Sequence, residues 1–498
     1  MPLTLSSAIA RCLLAVLIVT ESATNPPKAQ GQSLHVAPVV SRADARIHIW
    51  ATGLRPNRVA VIAAMTRDGL GNHWRSRVAC AADAKGVVDL EKCSPRWDAE
   101  SAAIGRGSSS TPVPGDDMAL FWSMRQVDGA PTLFWFPDAP SAVYELRLMM
   151  GDSVLQQLII ERQLMADRVT RVPLTLRADS IVGSAYEPSP ERPPRRHPAV
   201  ILLGGSGGGH PMDALAALLA SDGYETVSLA YYREAGLPDD LIDIPIESVR
   251  RALAWLRARP SVDTNRIAIV GHSRGSELAL LSAAHFPAIK AAVVLAGSPV
   301  GWPAINPRDF AHDVPAWTIR GAPVPFVPSA GFHGEAYREH RPPVTAYGQA
   351  LADSGATRAA LIPLERINGP VLFLGGEADA VWPATTFASL AMQYLHAHEH
   401  PFRDTTDVYP EAGHWFFEPY VPLDHRVHWR SSDSPSAREV DFGGTLDGNA
   451  RAAPAAWQRL RTFLQAALSS DAVPRVDPTR GFSRCGLGIA RDHRRLRG

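Results

Sequence analysis

No stretch of the 498-residue chain approaches the roughly 18 consecutive apolar residues that a helical membrane span requires, so no transmembrane span is expected. A surplus of one charge is missing too, since Lys+Arg and Asp+Glu are both 50 and the formal net charge is zero. Nucleic acid, which is bound mainly through phosphate neutralisation, is therefore not an expected partner. Cysteine is scarce, at four residues, and none has companions at finger spacing, so no zinc site is expected. What is present is the composition of a globular enzyme with a buried sheet, 46% hydrophobic and 20% charged. The length exceeds one compact core and implies two folded domains with terminal extras.

The ends read as extras. Arg11 precedes the apolar run Cys12 to Val19, followed by small and polar residues through Ala29, the shape of an export signal within residues 1–32. This predicts a periplasmic or secreted protein, or a cytoplasmic one if the signal does not function. Cys80 and Cys93 flank the turn-like Asp83-Ala-Lys-Gly86, where a hairpin could bring them together, and an oxidising compartment would permit a bridge; two free thiols are the alternative. Residues 471–498 are Arg-rich and core-poor, the composition of a disordered tail.

Residues 33–165 read as short strands separated by turn residues: Ala45 to Trp50, Val59 to Ile62, His73 to Val78, Gly86 to Leu90 and Tyr144 to Met149. That spacing predicts an immunoglobulin-like β-sandwich. Its segment Phe121-Trp-Ser-Met124 reads as core. Over residues 166–470 the rhythm changes to strands alternating with helices. Ala199 to Gly205 is a continuous apolar run of the kind a parallel sheet buries on both faces, and a helix from Met212 to Ser221 follows. The strand Thr226 to Tyr232, a helix opened by Pro245, the strands Arg266 to Val270, Ala292 to Ala296 and Val371 to Leu374, and a closing helix from Pro454 to Leu468 complete a doubly wound, mostly parallel sheet, the α/β-hydrolase type of fold. Trp302 to Tyr347, rich in Pro and Gly, sits where such folds insert a cap; Arg430 to Gly444 reads as a polar loop.

Gly271-His-Ser-Arg-Gly275 carries the chemistry. A G-x-S-x-G sequence is weak alone, but this one follows a β-branched strand and precedes a helix, the strained turn that lifts a serine hydroxyl above the sheet. Ser273 is the candidate nucleophile. A serine needs a base within hydrogen-bond reach, and in this fold the acid and the histidine follow it in that order. His414, in Tyr409-Pro-Glu-Ala-Gly-His-Trp415, has the order and the loop setting. His272 reads as the variable position of the turn, and His398 and His400 as solvated helix-end residues. Asp379, in the loop after Val371 to Leu374, is the expected partner of His414, with Glu377 as local competitor. The oxyanion requires backbone donors: the amide of Arg274, and Gly205 or Ser206 from the glycine-rich loop Gly204 to Gly209, which lacks the Lys-Ser/Thr of a phosphate cradle.

Taken together these segments resemble the family of acyl-CoA thioesterases and bile acid-CoA:amino acid N-acyltransferases. The likeness runs over most of the chain: Gly53-Leu54, Trp74-Arg-Ser76, Gly86 to Leu90 and Met118 to Met124 in the first half, then Ala230-Tyr-Tyr232, Ile244 to Glu247, Ala254-Trp-Leu256, Gly271 to Leu278, Ile362 to Glu365, Gly376 to Asp379 and Tyr409 to His414. The resemblance implies a β-sandwich ahead of an α/β-hydrolase domain, nucleophile, acid and histidine at Ser273, Asp379 and His414, and hydrolysis of fatty acyl-CoA without cofactor or metal. The N-acyltransferases use cysteine as nucleophile. Serine here favours water as acceptor, because an oxygen ester is less readily captured by an amine than a thioester is. An exported enzyme would be removed from cytosolic acyl-CoA, which makes a carboxylic ester the alternative substrate.

Overall fold

The computed structural model describes residues 31–92, 115–128, 132–189, 195–305, 312–329, 343–423, 426–429 and 438–469. The apolar run Cys12 to Val19, Cys93 and the Arg-rich tail lie outside the described residues.

Among the described residues the first half holds nine strands: β1 (Ser33–Ala37), β2 (Val40–Arg42), β3 (His48–Thr52), β4 (Val59–Arg67), β5 (His73–Ala81), β6 (Val88–Asp89), β7 (Arg125–Gln126), β8 (Ser141–Met150) and β9 (Ser153–Gln163). They form a six-stranded sheet, β2-β9-β8-β4-β5-β7, and a three-stranded sheet, β1-β3-β6. Alternation explains the pairing of faces. In β5, Trp74, Ser76, Val78 and Cys80 are buried while Arg75 and Ala81 are exposed, so one face meets the core and the other solvent. Met118 to Trp122 is buried in that core, with a short helix α1 (Ala119–Trp122). The turn after β5 closes as its residues suggest: Gly86 N donates to Asp83 O at 3.0 Å, and Asp83 Oδ1 accepts from the amides of Lys85 and Val87. Cys80 is disulfide-bonded.

Among the described residues the second half is built on an eight-stranded sheet. Its strands are β10 (Val169–Leu174), β11 (Val182–Pro188), β12 (His197–Leu203), β13 (Glu225–Ala230), β15 (Val262–His272), β16 (Ile289–Leu295), β19 (Val371–Gly376) and β20 (Thr405–Tyr409), with β14 (Ile244–Pro245), β17 (Trp317–Ile319) and β18 (Ala322–Pro323) forming a small sheet beside it. The order is β10-β11-β13-β12-β15-β16-β19-β20, antiparallel over the first two pairs and parallel from β13 onward.

Period-two alternation divides this sheet into two cores. Ile201, Leu203, Leu229, Ile269 and Val294 face one layer, with Val249 and Leu253 of α4 (Glu247–Arg257) and Leu278 and Leu281 of α5 (Arg274–His285). Val200, Leu202, Val270, Val293 and Leu374 face the other, where α3 (Asp213–Ser221) and α9 (Leu446–Ala467) supply Leu215, Trp457, Leu460 and Phe463. Each fully buried Val, Leu or Ile contributes about 1.5–3 kcal/mol. The two halves also share apolar packing, since Val421, Leu423 and Ala453 join the sandwich core. Asp222 at the end of α3 accepts from both Arg42 of β2 and Arg461 of α9.

Several expectations are corrected. Pro245 does not open a helix: Ile244–Pro245 pairs with Trp317–Thr318, and α4 starts at Glu247. The closing helix begins at Leu446, where the Thr445 side chain caps Gly448 N, and Pro454 lies inside it. Arg430 to Gly444 is not wholly loop, because Arg438–Asp441 (β22) pairs with Arg426–Trp429 (β21). The segment expected as a cap, Trp302 to Tyr347, runs into the helix α6 (Pro343–Ala350), which α7 (Ser354–Ala359) follows before β19. Strands β1, β2, β7, β9, β10, β11 and β20, and the short β14, β17, β18 and β21, have no counterpart among the strands expected from the sequence.

Candidate active site

The site stands at the carboxyl ends of β12, β15 and β19, where the doubly wound topology leaves a crevice. Ser273 occupies the turn between β15 and α5 with φ 52° and ψ −126°. A non-glycine residue there stores about 1–3 kcal/mol of strain. Its surroundings hold it: Ser273 N donates to Leu295 O at 3.0 Å, and Ser276 Oγ donates to Ser273 O at 2.6 Å. The flanking glycines are demanded by space. A Cβ on Gly271 would stand 2.4 Å from Gly275 O, and one on Gly275 would stand 2.2 Å from Gly204 O.

The structure brings the three predicted residues together. Asp379 Oδ2 accepts from His414 Nδ1 at 2.8 Å. A carboxylate can only accept, so Nδ1 carries the proton and Nε2 is left as the acceptor for Ser273 Oγ, at 2.9 Å. The other oxygen, Asp379 Oδ1, accepts from the amides of Val381 and Trp382 at 2.8 and 2.9 Å, which fixes the carboxylate plane. All three side chains are buried. The histidine loop is anchored by His414 N donating to Phe442 O and by Gly413 N donating to the buried Asn449 Oδ1, each at 2.8 Å.

Gly205, Ser206 and Arg274 line the same pocket as Ser273 and His414. The Arg274 amide heads α5 and has no partner within its helix, as every first-turn amide lacks one. Glycine at 205 allows close approach, since a Cβ there would stand 2.9 Å from Ser273 Cβ. The Arg274 guanidinium does separate work. It is fully buried, pairs with Glu277 at 2.9 Å and donates to the carbonyls of Trp302 and Pro303, both at 3.0 Å. Glu277 in turn accepts from Trp302 N and Trp317 Nε1. Burial pushes the Glu277 carboxyl up to about 7, with Arg274 pulling the other way.

The other candidates take no part in the relay, although His272 lines the same pocket. His272 is buried beside His414, and burial, reinforced by that neighbour, holds its imidazole well below the usual histidine value. It is therefore neutral, with Nε2 donating to His414 O at 3.3 Å. His400 is not a solvated helix-end residue: it is buried, with Nδ1 on Asp404 at 2.6 Å and Nε2 on Ile367 O at 2.9 Å. His398 is exposed. Glu377 N donates to Tyr409 O, and its carboxylate takes no part in the Asp379–His414 contact.

The pocket has a volume of about 340 Å³, and its walls come from both halves of the chain. Thr132, Leu133 and Trp135 of the sandwich face Tyr347, Trp382 and Trp415 of the second half. The sequence leads one to expect the sandwich to frame one wall of the pocket but marks no residue for it, and the half-buried Trp135 carries no pattern that sets it apart from other aromatics of the first half.

An eight-stranded doubly wound sheet with a serine–histidine–aspartate array above its strand ends defines a hydrolase of the α/β-hydrolase fold. The acyl-CoA thioester hydrolase/BAAT N-terminal region matches residues 44–176, and the BAAT/acyl-CoA thioester hydrolase C-terminal region matches residues 244–470. The chain is 30% identical to the rat acyl-coenzyme A thioesterase 2, mitochondrial, over 86% of its own length and 87% of that protein. It is 29% identical to mouse acyl-coenzyme A thioesterase 5, over 86% and 95% of the two chains, and 28% identical to human acyl-coenzyme A thioesterase 1, over 84% and 93%. The chain belongs to the acyl-CoA thioester hydrolase/BAAT family.

Proposed function

We propose that this protein hydrolyses fatty acyl-CoA through an acyl-enzyme on Ser273. The observation that carries the reading is the continuous relay from Asp379 through His414 to Ser273, at 2.8 and 2.9 Å, inside a pocket walled by apolar and aromatic side chains. Ser273 Oγ attacks the thioester carbonyl while His414 Nε2 takes its proton; the C–S bond then breaks and the proton passes to the departing thiolate. Water enters, gives a proton to the same nitrogen and attacks the ester carbon; the acid leaves, and the proton returns to Ser273. The amides of Arg274 and of the Gly205–Ser206 segment supply the donors for the oxyanion. No metal or cofactor enters this scheme.

Membership in a family whose named relatives are acyl-coenzyme A thioesterases supports the thioester as substrate. A carboxylic ester cleaved outside the cytoplasm is the second reading. It is favoured by the disulfide at Cys80, which suits an oxidising compartment, and by the export-like run Cys12 to Val19. The test is turnover of palmitoyl-CoA beside a p-nitrophenyl acyl ester, with Ser273→Ala as blank. Faster thioester cleavage supports the first reading and ester cleavage alone the second; turnover retained by Ser273→Ala overturns the nucleophile.

A further inference from the structure

The glycine-rich loop is wired from beneath by two tyrosines that the scheme above does not use. Tyr231 and Tyr232 follow β13 directly and are fully buried. The Tyr231 hydroxyl donates to Gly204 O at 2.6 Å and lies 3.4 Å from Gly205 O. The Tyr232 hydroxyl donates to Gly205 O at 3.4 Å, and Gly208 N approaches the same oxygen at 3.3 Å. Each consecutive carbonyl thus has its own tyrosine donor.

That a single hydroxyl reaches both oxygens means that the carbonyls of Gly204 and Gly205 turn to the same side of the chain. In a trans peptide the N–H points opposite to the carbonyl of the preceding residue. The amides of Gly205 and Ser206 therefore converge on the other side, forming the kind of concave pair of N–H groups that holds an anion. That side is the pocket, since Gly205 and Ser206 line it with Ser273 and Arg274. Burial raises both phenols above their usual value, so the hydroxyls stay protonated and donate throughout the working pH range.

We propose that Tyr231 and Tyr232 are positioning residues for the oxyanion: their hydroxyls pin the carbonyls of Gly204 and Gly205 so that the amides of Gly205 and Ser206 stay aimed at the oxygen of the carbonyl under attack by Ser273. The inference rests on the reading of Ser273 as nucleophile, and it is independent of the leaving group. Without the hydroxyls the glycines, which carry no side chain to restrain them, are free to rotate their peptide planes.

The test compares Tyr231→Phe, Tyr232→Phe and the double variant with Tyr224→Phe, which removes a buried phenol at the opposite end of β13 from the loop's two tyrosines. Rates are normalised to the fraction of Ser273 labelled by a fluorophosphonate, so that misfolded protein does not count. Each single variant is expected to lose about tenfold in kcat, one hydrogen bond's worth, with KM within about twofold. Affinity for a trifluoromethyl ketone analogue, which forms a hemiketal oxyanion on serine, should fall in parallel with kcat/KM, and Tyr224→Phe should behave as the parent. Parental kcat and ketone affinity in the double variant, with Ser273→Ala inactive, would overturn this inference alone. A loss confined to KM, or an equal loss in Tyr224→Phe, would also overturn it. Turnover by Ser273→Ala would remove the nucleophile reading and the inference with it.

Discussion

Gly275→Ala should disable the turn that presents Ser273, and the size of the effect follows from its neighbours. The new methyl would stand 2.2 Å from Gly204 O and 2.7 Å from Leu203 O. Opening the tighter contact to an ordinary 3.4 Å requires about 1.2 Å of movement. Neither obstacle is a flexible side-chain tip: both are backbone of β12 and the loop after it, buried in the centre of the sheet with Leu202 and Leu203 wholly inaccessible. Overpacking of this kind costs about 1–3 kcal/mol. A displacement of about 1 Å between nucleophile and oxyanion donors costs roughly 100-fold in rate. The variant should therefore melt several degrees below the parent and lose about two orders of magnitude in kcat. Gly348→Ala is the control, because its Cβ would meet nothing within 4 Å and it lies in helix α6, where alanine is the better helix former. Circular-dichroism melting and steady-state kinetics on both variants settle the matter. A Gly275→Ala enzyme with parental melting temperature and kcat would refute the steric account.

Three further outcomes are expected. Asp379→Asn should reduce kcat by roughly 10³–10⁴-fold with little change in KM, because the amide no longer enforces the Nδ1-protonated tautomer of His414; Ser273→Ala should fall to the blank, and steady-state kinetics showing parental activity for Asp379→Asn would refute the relay. Glu418 is buried with Trp415 Nε1 donating to it at 3.3 Å, and burial pushes its carboxyl up to about 7. The folded state then holds a proton that the unfolded state releases near pH 4.5, so this group's contribution to stability declines as pH rises from about 4.5 to about 7, by on the order of 3 kcal/mol. Glu418→Gln should flatten that part of the melting-temperature profile, and an unchanged profile between pH 5 and 7.5 would count against it.

Legibility differed from one segment to the next for physical reasons. Ser273 could be read because a strand, a tight turn and a helix leave local marks: β-branched residues, two glycines and a helical run within 20 residues. Asp379 and His414 could be read because chain order in this fold constrains where they fall. Strand β20 was missed because Thr405–Tyr409 is a half-buried edge strand with no apolar alternation. His400 was misread because its burial depends on Ile367 and Asp404, and nothing in His398-Glu-His400 reveals that Ile367 O lies within reach. The segment before Gly444 looked like polar loop, yet Val440 and Phe442 line the pocket and Phe442 O holds the His414 amide.

By itself the sequence determined the two-part organisation, the doubly wound sheet and the three residues of the relay, because each is encoded by periodicity, local turn chemistry or order along the chain. Only the tertiary structure decided what surrounds them. It seats Thr132, Leu133 and Trp135 of the sandwich in the wall of a pocket whose nucleophile lies some 140 residues away, and it buries the Arg274–Glu277 pair against the carbonyls of Trp302 and Pro303. It also places two tyrosine hydroxyls beneath a glycine loop that precedes them by about 27 residues. Contacts between distant segments depend on how whole layers pack, and no local pattern of residues records which side chain will stand opposite which backbone.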